Sequence, residues 1–333
     1  MKVYFEIDED QRTFEGRTQA ANRLKQLLIE KWVEFVSRPE DADLIHFHSS
    51  GIAQSFRAYR LKKSLKKPTI YSLYSLCETE PLGHFVHHFK QISLFGKRKT
   101  SFILSASALA PLRLRAFLLR YLDSVVVPSD YTKRKLFLNT QVIHLGVDTT
   151  KFGQKKQEAG QKLKVCYIGH PSVYKGLNDF LYASLLFPNG TETYAYVSRT
   201  SKKIESTVRR INPRIHLAGF ASSIVDVYHS MDVIVIPHRS KLGSVANPLV
   251  LLEAMACGKA IVTTNFKFIR EIADGCALIV PPHSPKAIAR AVSEFRDKKL
   301  RQTLGDAARR RVCESYDEVL TVAQYLKLYE ACV

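Results

Sequence analysis

One carboxylate stands in an otherwise apolar run near the end of the chain. Between Pro248 and Cys257 every residue is apolar except Glu253. Asn247 suits the N-cap of a helix, Pro248 its first position and Gly258 the position after its end, so we predict a helix over residues 248–257. A buried carboxylate costs several kcal/mol unless a partner binds it. We therefore expect Glu253 to bind a ligand, such as a diol, with contact to solvent or to a nearby arginine as the alternative.

The start of the same helix is a candidate anion site. Its first-turn amides, those of Leu249 and Val250, would point out of the helix and could bind a phosphate group.

A second candidate lies where residues 163–168 predict a strand that leads into Gly169. His170 and Lys175 follow, before a helix predicted from about residue 178. Ligands of open α/β sheets bind at the carboxyl ends of the strands. The helix dipole disfavours a cation such as Lys175 at a helix start, and a bound anion would relieve this conflict. The alternative is a solvated surface lysine.

The elements that must position these residues alternate between strands and helices. Short apolar runs predict strands, and periodic segments between them predict helices, the pattern of parallel sheets with crossover helices. We predict an α/β protein with two doubly wound halves. The predicted strands are 2–8, 44–47, 69–71, 124–127, 142–143, 163–168, 193–197, 215–218, 233–236, 260–263 and 277–280, and the main helices are 18–36, 54–65, 109–121, 248–257 and 284–296.

A polar stretch without apolar periodicity, residues 148–161, predicts a linker between the two halves. We therefore expect a first domain over residues 1–150 and a second over residues 151–315. We expect a C-terminal helix, at about 316–333, to cross back to the first domain.

Composition narrows the classes of protein further. The 333 residues have a net charge of +19, and residues 51–140 hold 16 basic and 4 acidic side chains, which favours an anionic partner. The six cysteines are at least 19 residues apart, so the sequence has no C-x-x-C motif. We expect a reducing compartment, no secretory signal and no membrane span, and hence a cytoplasmic protein.

The residues around Glu253 resemble the donor-binding core of the family 4 glycosyltransferases. The resemblance rests on residues 237–282, above all on the run 248–264, and it is looser in the first half of the chain. Further matching positions are residues 43–48, Ser129, residues 143–148 with Phe152, Gly169, residues 175–176, residues 217–220, Tyr228 and residues 232–233. The resemblance implies a GT-B fold, in which two Rossmann-like domains face a central cleft.

The resemblance also implies a reaction: transfer of a hexose from a UDP- or GDP-sugar to a lipid-linked or glycan acceptor, with retention of configuration. Glu253 would bind the nucleotide ribose and Lys175 would neutralise the diphosphate. No metal and no cofactor besides the nucleotide-sugar substrate are expected. The remaining positions implied in donor binding are Gly16, Gly169, His170, Phe220, Asn247, Pro248, Leu249 and Val250.

Histidines of the first half are candidates for contact with the sugar. His84 is one, with His87 and His88 as the other histidines of its segment, and His48 is another, since it stands at the end of a predicted strand. We expect His46 and His48 to face opposite sides of that strand, with His46 packed into the sheet.

Two positions depart from the family pattern. His170 stands where an arginine usually shares the diphosphate charge, and Val245 stands where an acidic residue usually approaches the donor sugar. The alternative function is therefore a catalytically weakened homologue that binds a nucleotide-sugar or a partner subunit.

The basic first half suggests a surface for anionic lipid. Arginines alternate with large apolar residues over 109–122, as in helices that lie on anionic membranes, whereas packing in the domain core is the alternative. This hypothesis places the protein peripherally on the inner membrane face. Nucleic acid is not expected as a partner, because the chain has no recognised nucleic-acid motif.

Overall fold

The chain folds into two compact units. The computed structural model describes residues 1–7, 16–49, 52–73, 112–136, 138–155, 162–240 and 247–333. The first unit comprises Met1–Gly146, Leu242–Asn247 and Glu318–Val333, and the second comprises Val147–Lys241 and Pro248–Asp317.

The first unit contains a parallel sheet in the order β2-β1-β3-β4-β5-β6. This order places the topological switch point between β1 and β3, as in flavodoxin-like sheets. Its strands are β1 (Lys2–Ile7), β2 (Glu34–Phe35), β3 (Leu44–His48), β4 (Thr69–Ser72), β5 (Ser124–Val127) and β6 (Gln141–Val142). Its helices, among the described residues, are α1 (Gly16–Glu30), α2 (Ile52–Leu65), α3 (Leu112–Leu119), α4 (Asp130–Leu136) and the C-terminal α12 (Glu318–Cys332).

The second unit contains a parallel sheet in the order β12-β11-β10-β7-β8-β9, which is the doubly wound order of dinucleotide-binding folds. Its switch point lies between β7 and β10. The strands are β7 (Leu163–Gly169), β8 (Thr191–Val197), β9 (His216–Ala218), β10 (Val233–Ile236), β11 (Ala260–Thr264) and β12 (Leu278–Val280). The helices are α5 (Leu177–Ser184), α6 (Lys202–Ile211), α7 (Ile224–Ser230), α8 (Leu249–Ala256), α9 (Lys267–Ala273), α10 (Pro285–Glu294) and α11 (Lys298–Ser315).

Helices cover the faces of both sheets, and inner strands such as β5 and β10 are accordingly buried, nearly continuous apolar runs. In the second unit, Val165 and Val235 pack with Phe180 and Phe295. In the first unit, Tyr325 and Tyr329 of α12 pack in the same core cluster as strand residues of the sheet. The prediction of two doubly wound α/β halves is confirmed.

Two boundaries differ from the sequence prediction. The helix predicted over 18–36 ends at Glu30, because Trp32 has a left-handed φ of 65° and Glu34–Phe35 then form an edge strand. The predicted linker is partly built into the second unit. Val147, the residue before it, bridges to Asp317, and Phe152 within it is buried, while residues 156–161 lie outside the described residues.

Within the described ranges, every helix is too short or too polar to cross a bilayer.

Candidate functional site

Lys175 lies at the carboxyl edge of the second sheet, after β7. The hydroxyl of Ser172 accepts a hydrogen bond from the Lys175 amide at 3.3 Å and caps the single 3₁₀ turn Val173–Lys175. Gly176 follows with a left-handed φ of 78°. A Cβ at this position would lie 1.8 Å from the carbonyl oxygen of Pro237, so the turn requires glycine. The sequence prediction that Lys175 immediately precedes a helix is confirmed, since α5 begins at Leu177.

The Lys175 ammonium contacts a buried imidazole. Its Nζ lies 3.1 Å from Nε2 of His238, which follows β10 and is 3% exposed. Burial, and then the positive charge of Lys175, hold the pKa of His238 well below its usual value. The imidazole is therefore neutral and Nε2 accepts the hydrogen bond from the ammonium. Lys175 is partly buried, which argues against a simple solvated lysine.

Arg239 places a second cation in the loop after β10. Its amide donates a hydrogen bond to the carbonyl of Tyr174 at 2.8 Å, next to Lys175. Its Nε lies 3.1 Å from Oδ2 of the buried Asp179 and 2.8 Å from Nδ1 of His283. Burial raises the pKa of Asp179, and the charges of Arg239 and His283 oppose that shift.

Helix α8 begins at Leu249, with Pro248 rather than Asn247 at its N-cap. The expected N-cap role of Asn247 is wrong, because Pro248 has extended backbone dihedrals and no side chain caps the helix. The amides of Leu249 and Val250 lie ahead of the first intrahelical bonds, which run from Leu251 and Leu252 to Pro248. Asn247 is fully buried, and its amide oxygen and nitrogen have no partner among the described residues. The other end of the helix agrees with the prediction, since Gly258 takes a left-handed φ of 63°.

Glu253 of α8 is enclosed by protein but retains some accessible surface. Its Oε2 accepts a hydrogen bond of 2.8 Å from the hydroxyl of Tyr228, while Oε1 receives none from the residues that the structure describes. Burial raises the pKa of the Glu253 carboxyl, and the Tyr228 hydrogen bond and the Lys151 charge partly offset this effect. The carboxylate thus has a phenol partner in place of the arginine that we considered, and one oxygen is free to bind a hydroxyl group.

The other predicted donor-binding residues are placed as follows. Gly169 ends β7 and His170 is exposed beside it. Phe220 follows β9 and is 70% exposed. Gly16 is the first residue of α1.

The two histidines of β3 lie on the same face, so the expectation of opposite faces is wrong. Residues two apart on a strand point the same way, and the rings of His46 and His48 are 6.2 Å apart. His46 is locked in the core, with Nδ1 2.6 Å from the Tyr329 hydroxyl and Nε2 2.7 Å from the Ser72 hydroxyl. His48 is buried but borders a small cavity of the first unit, lined also by Arg23. His84 and Val245 lie outside the described residues.

Sequence reasoning missed His238 and Arg239 and gave Tyr228 no role. His238 is the second residue after the apolar strand run 233–236, at a strand end beside the switch point. This position at a strand end, rather than any sequence motif, could have identified His238 as a candidate site residue. In the described ranges, no three His, Cys, Asp or Glu side chains form a group that could hold a metal ion.

Solved structures with the same architecture cover nearly the whole chain. Sucrose-phosphate synthase from Thermosynechococcus elongatus aligns with 99% of this chain and 98% of its own, with a TM-score of 0.77 and 16% identity. The Anabaena protein Alr3699/HepE, solved in complex with UDP, aligns with 99% of this chain and 100% of its own, with a TM-score of 0.76 and 14% identity. At these identities the likeness shows the fold, which is that of the GT-B glycosyltransferases.

Sequence comparisons agree with that class. A glycosyltransferase of Methanocaldococcus jannaschii is 25% identical over 273 residues, which are 74% of this chain and 68% of the relative. A Campylobacter jejuni enzyme, N,N'-diacetylbacillosaminyl-diphospho-undecaprenol alpha-1,3-N-acetylgalactosaminyltransferase, is 26% identical over 185 residues, 54% of this chain and 47% of its own length.

The chain has the fold of the GT-B glycosyltransferases, and these relatives support a glycosyltransferase. Residues 162–297, which include Lys175 and Glu253, match the model of the family described as glycosyl transferases group 1. The resemblance noted from the sequence is thereby confirmed, and membership of family 4 is consistent with the match.

Proposed function

We propose that this glycosyltransferase transfers a hexose from a UDP- or GDP-sugar to a lipid-linked or glycan acceptor, with retention of configuration and without a metal ion. The observation that carries the proposal is that Lys175 and α8, the helix of Glu253, follow β7 and β10, which are neighbouring parallel strands of the second sheet. Loops after β7 and β10 flank the switch point, where open α/β sheets bind their ligands.

Each group has a chemical role in the proposed donor site. The uncapped amides of Leu249 and Val250 suit the distal phosphate, and the Lys175 ammonium suits the negative charge of the diphosphate. The free Oε1 of Glu253 suits a ribose hydroxyl, because a carboxylate accepts hydrogen bonds strongly from such donors. The Anabaena protein of the same fold was solved with UDP and with UDP-glucose, which supports a uridine nucleotide as the first candidate.

The same groups would assist the reaction. As the glycosidic bond breaks, the electron pair moves to the departing phosphate oxygen, and Lys175 and the helix-start amides stabilise this charge. In front-face attack the acceptor hydroxyl bonds to the anomeric carbon while its proton passes to the departing phosphate oxygen. Configuration is then retained without a covalent enzyme intermediate.

A lipid-linked acceptor has two supports. The Campylobacter jejuni relative is by name a transferase acting on a diphospho-undecaprenol sugar. In addition, the first unit presents what we call the basic–aromatic surface on α2, on α3 and just after α3. Its exposed side chains are Phe56, Arg60, Lys63, Leu114, Phe117, Arg120 and Tyr121.

The basic–aromatic surface fits an anionic bilayer face, which makes peripheral association part of the proposal. The guanidinium of Arg120 lies 4.4 Å from the ring centroid of Phe117 and 5.2 Å from that of Tyr121, so the cation and the rings form one patch. Helix α3 also contributes to the core, where Arg115 is buried and donates to Ser55 at 2.9 Å and to Tyr71 at 3.1 Å.

Nucleotide binding tests the donor site directly. We expect calorimetric titration to show binding of UDP or GDP to the wild-type protein. Lys175→Met should weaken binding of that diphosphate roughly tenfold or more, because a charge-assisted hydrogen bond is lost. Binding of the parent nucleoside should hardly change. The control is Lys202→Met, which removes an exposed lysine of α6.

Two outcomes separate the alternatives. No binding of any nucleoside diphosphate by the wild-type protein would overturn the proposal. Tight binding without transfer or hydrolysis of a panel of UDP- and GDP-sugars would instead favour the catalytically weakened homologue, for which His170 in place of the usual arginine is the supporting observation.

A further inference from the structure

We propose that His238 is a positioning residue that holds the Lys175 ammonium where the donor diphosphate binds. This inference rests on the proposed function of Lys175. Its basis is the 3.1 Å contact between Lys175 Nζ and His238 Nε2, made by an imidazole that is 3% exposed.

The direction of the hydrogen bond is fixed by chemistry. An ammonium group has three donors and no acceptor, so the contact requires a lone pair on Nε2 and hence a neutral ring with its proton on Nδ1. Burial keeps the ring neutral. The neutral imidazole therefore brings no negative charge to Lys175, unlike a carboxylate partner.

The backbone around the pair is fixed in two places. Gly176 packs against the carbonyl of Pro237, the residue before His238. The amide of Arg239, the residue after His238, donates to Tyr174 at 2.8 Å. Backbone neighbours of the two partners thus contact each other on both sides of the pair, which defines the position of the imidazole relative to the lysine turn.

The arrangement also leaves a polar atom without a partner. Nδ1 of His238 is buried and makes no hydrogen bond with the described part of the chain. An apolar residue would avoid this desolvation cost, so a histidine there calls for an explanation that fold stability does not supply. Orientation of Lys175 supplies one. A lysine side chain loses considerable rotamer freedom when it binds, and a preformed contact meets part of that loss before the ligand arrives.

A set of variants separates this role from simple packing. His238→Phe keeps a ring but removes the acceptor. His238→Gln places an amide oxygen near the position of Nε2, whereas His238→Asn places its amide near Nδ1 and out of reach of Lys175. We expect His238→Phe and His238→Asn to weaken binding of the preferred diphosphate, UDP or GDP, about threefold to tenfold. Glutamine should restore most of the affinity, and nucleoside affinity should stay unchanged.

A double-mutant cycle then tests whether His238 acts through Lys175. In the Lys175→Met background, His238→Phe should cause no further loss of diphosphate affinity, because the partner is already absent. The inference is overturned if the two losses add in full, if His238→Phe binds the diphosphate like the wild type, or if nucleoside affinity falls equally. If the phenylalanine variant does not fold, the comparison of Gln with Asn decides the question by the same criterion.

The two proposals fail in different ways. If the wild-type protein binds no diphosphate, or if Lys175→Met has no effect, the proposed donor site itself is wrong. If Lys175→Met weakens diphosphate binding but the His238 variants do not, only the positioning role is wrong.

Discussion

At Glu253 the fold holds a carboxylate in a partly dehydrated position with one phenolic partner. The Tyr228 hydrogen bond and the Lys151 charge do not fully compensate for burial, and so the pKa of this carboxyl stays raised. A stability optimum would place an apolar or amide side chain here. The retained charge is what a ligand hydroxyl would bind, which is consistent with a site that trades stability for binding.

The pH dependence of stability tests this description of Glu253. The ordinary pKa of a glutamate, here 4.5, applies to the unfolded chain, and the pKa of Glu253 in the fold is higher. Ionisation of Glu253 therefore destabilises the fold increasingly as the pH rises from 4.5 to the pKa of the folded state. Glu253→Gln should therefore raise the melting temperature at pH 8, and the gain should shrink as pH falls towards 4.5. Thermal melting across this pH range is the measurement.

The same variant should bind the nucleotide more weakly, because its amide accepts from ribose hydroxyls less strongly than a carboxylate does. Glu205→Gln is the control, since it changes an exposed glutamate of α6 and should alter neither property. A Glu253→Gln protein with lower stability at pH 8 and unchanged nucleotide affinity would contradict the assignment.

At the scale of elements, the turn between β7 and α5 depends on one glycine. Gly176 and Gly190 have nearly the same left-handed φ, 78° and 81°. A Cβ at Gly176 would strike the Pro237 carbonyl at 1.8 Å, whereas a Cβ at Gly190 would have no atom within 4 Å. Alanine substitutions at Gly176 and Gly190 therefore separate the cost of the left-handed conformation from the cost of a clash with the Pro237 carbonyl.

We expect Gly190→Ala to lower the free energy of unfolding by about 1–2 kcal/mol, the cost of a left-handed conformation for a residue with a Cβ. Gly176→Ala should cost clearly more and should also weaken nucleoside diphosphate binding, because the Lys175 turn must move. Urea unfolding and calorimetry measure the two effects. Equal destabilisation by the two substitutions would show that the contact with Pro237 does not constrain the turn.

At the scale of the whole molecule, the basic side chains behind the net charge of +19 fall into two groups, those in structural contacts and those exposed on the surface. Some basic side chains of the first unit are structural. Lys62 pairs with Asp123 at 2.7 Å, and Lys67 donates to the carbonyl of Ala42 at 2.6 Å. The basic–aromatic surface is different, because it combines exposed cations with exposed rings, the composition that binds the interface of an anionic membrane.

Vesicle binding tests this use of the charge. The protein should bind phosphatidylglycerol vesicles at low salt and bind phosphatidylcholine vesicles weakly. Phe117→Ser should reduce binding to the anionic vesicles several-fold and leave nucleotide affinity unchanged, because it removes an aromatic side chain from the patch but not from the donor site. Leu186→Ser, which changes an exposed apolar residue of the second unit, is the control. Absence of vesicle binding at low salt, or an equal effect of the control, would remove membrane association from the proposal.

The sequence alone was sufficient for the architecture and for the most distinctive candidate site residues. Alternation of apolar runs and helical segments predicted both sheets, because buried parallel strands must be apolar on both faces. Glu253 was conspicuous as a lone charge in an apolar helix, and Lys175 as a cation ahead of a helix start. Each of these features depends only on residues close together in the chain, so it can be recognised without a structure.

Only the tertiary structure decided which partners these residues have. His238 and Tyr228 lie 63 and 25 residues from Lys175 and Glu253 along the chain, and only the packing of α5, α7 and α8 around the second sheet brings them together. The N-cap of α8 is Pro248 rather than Asn247, because the backbone dihedrals, and not the N-cap preference of asparagine, fix where the helix begins. Contacts between residues distant in sequence depend on how the sheet is ordered and which helices cover it, and no single segment encodes that order.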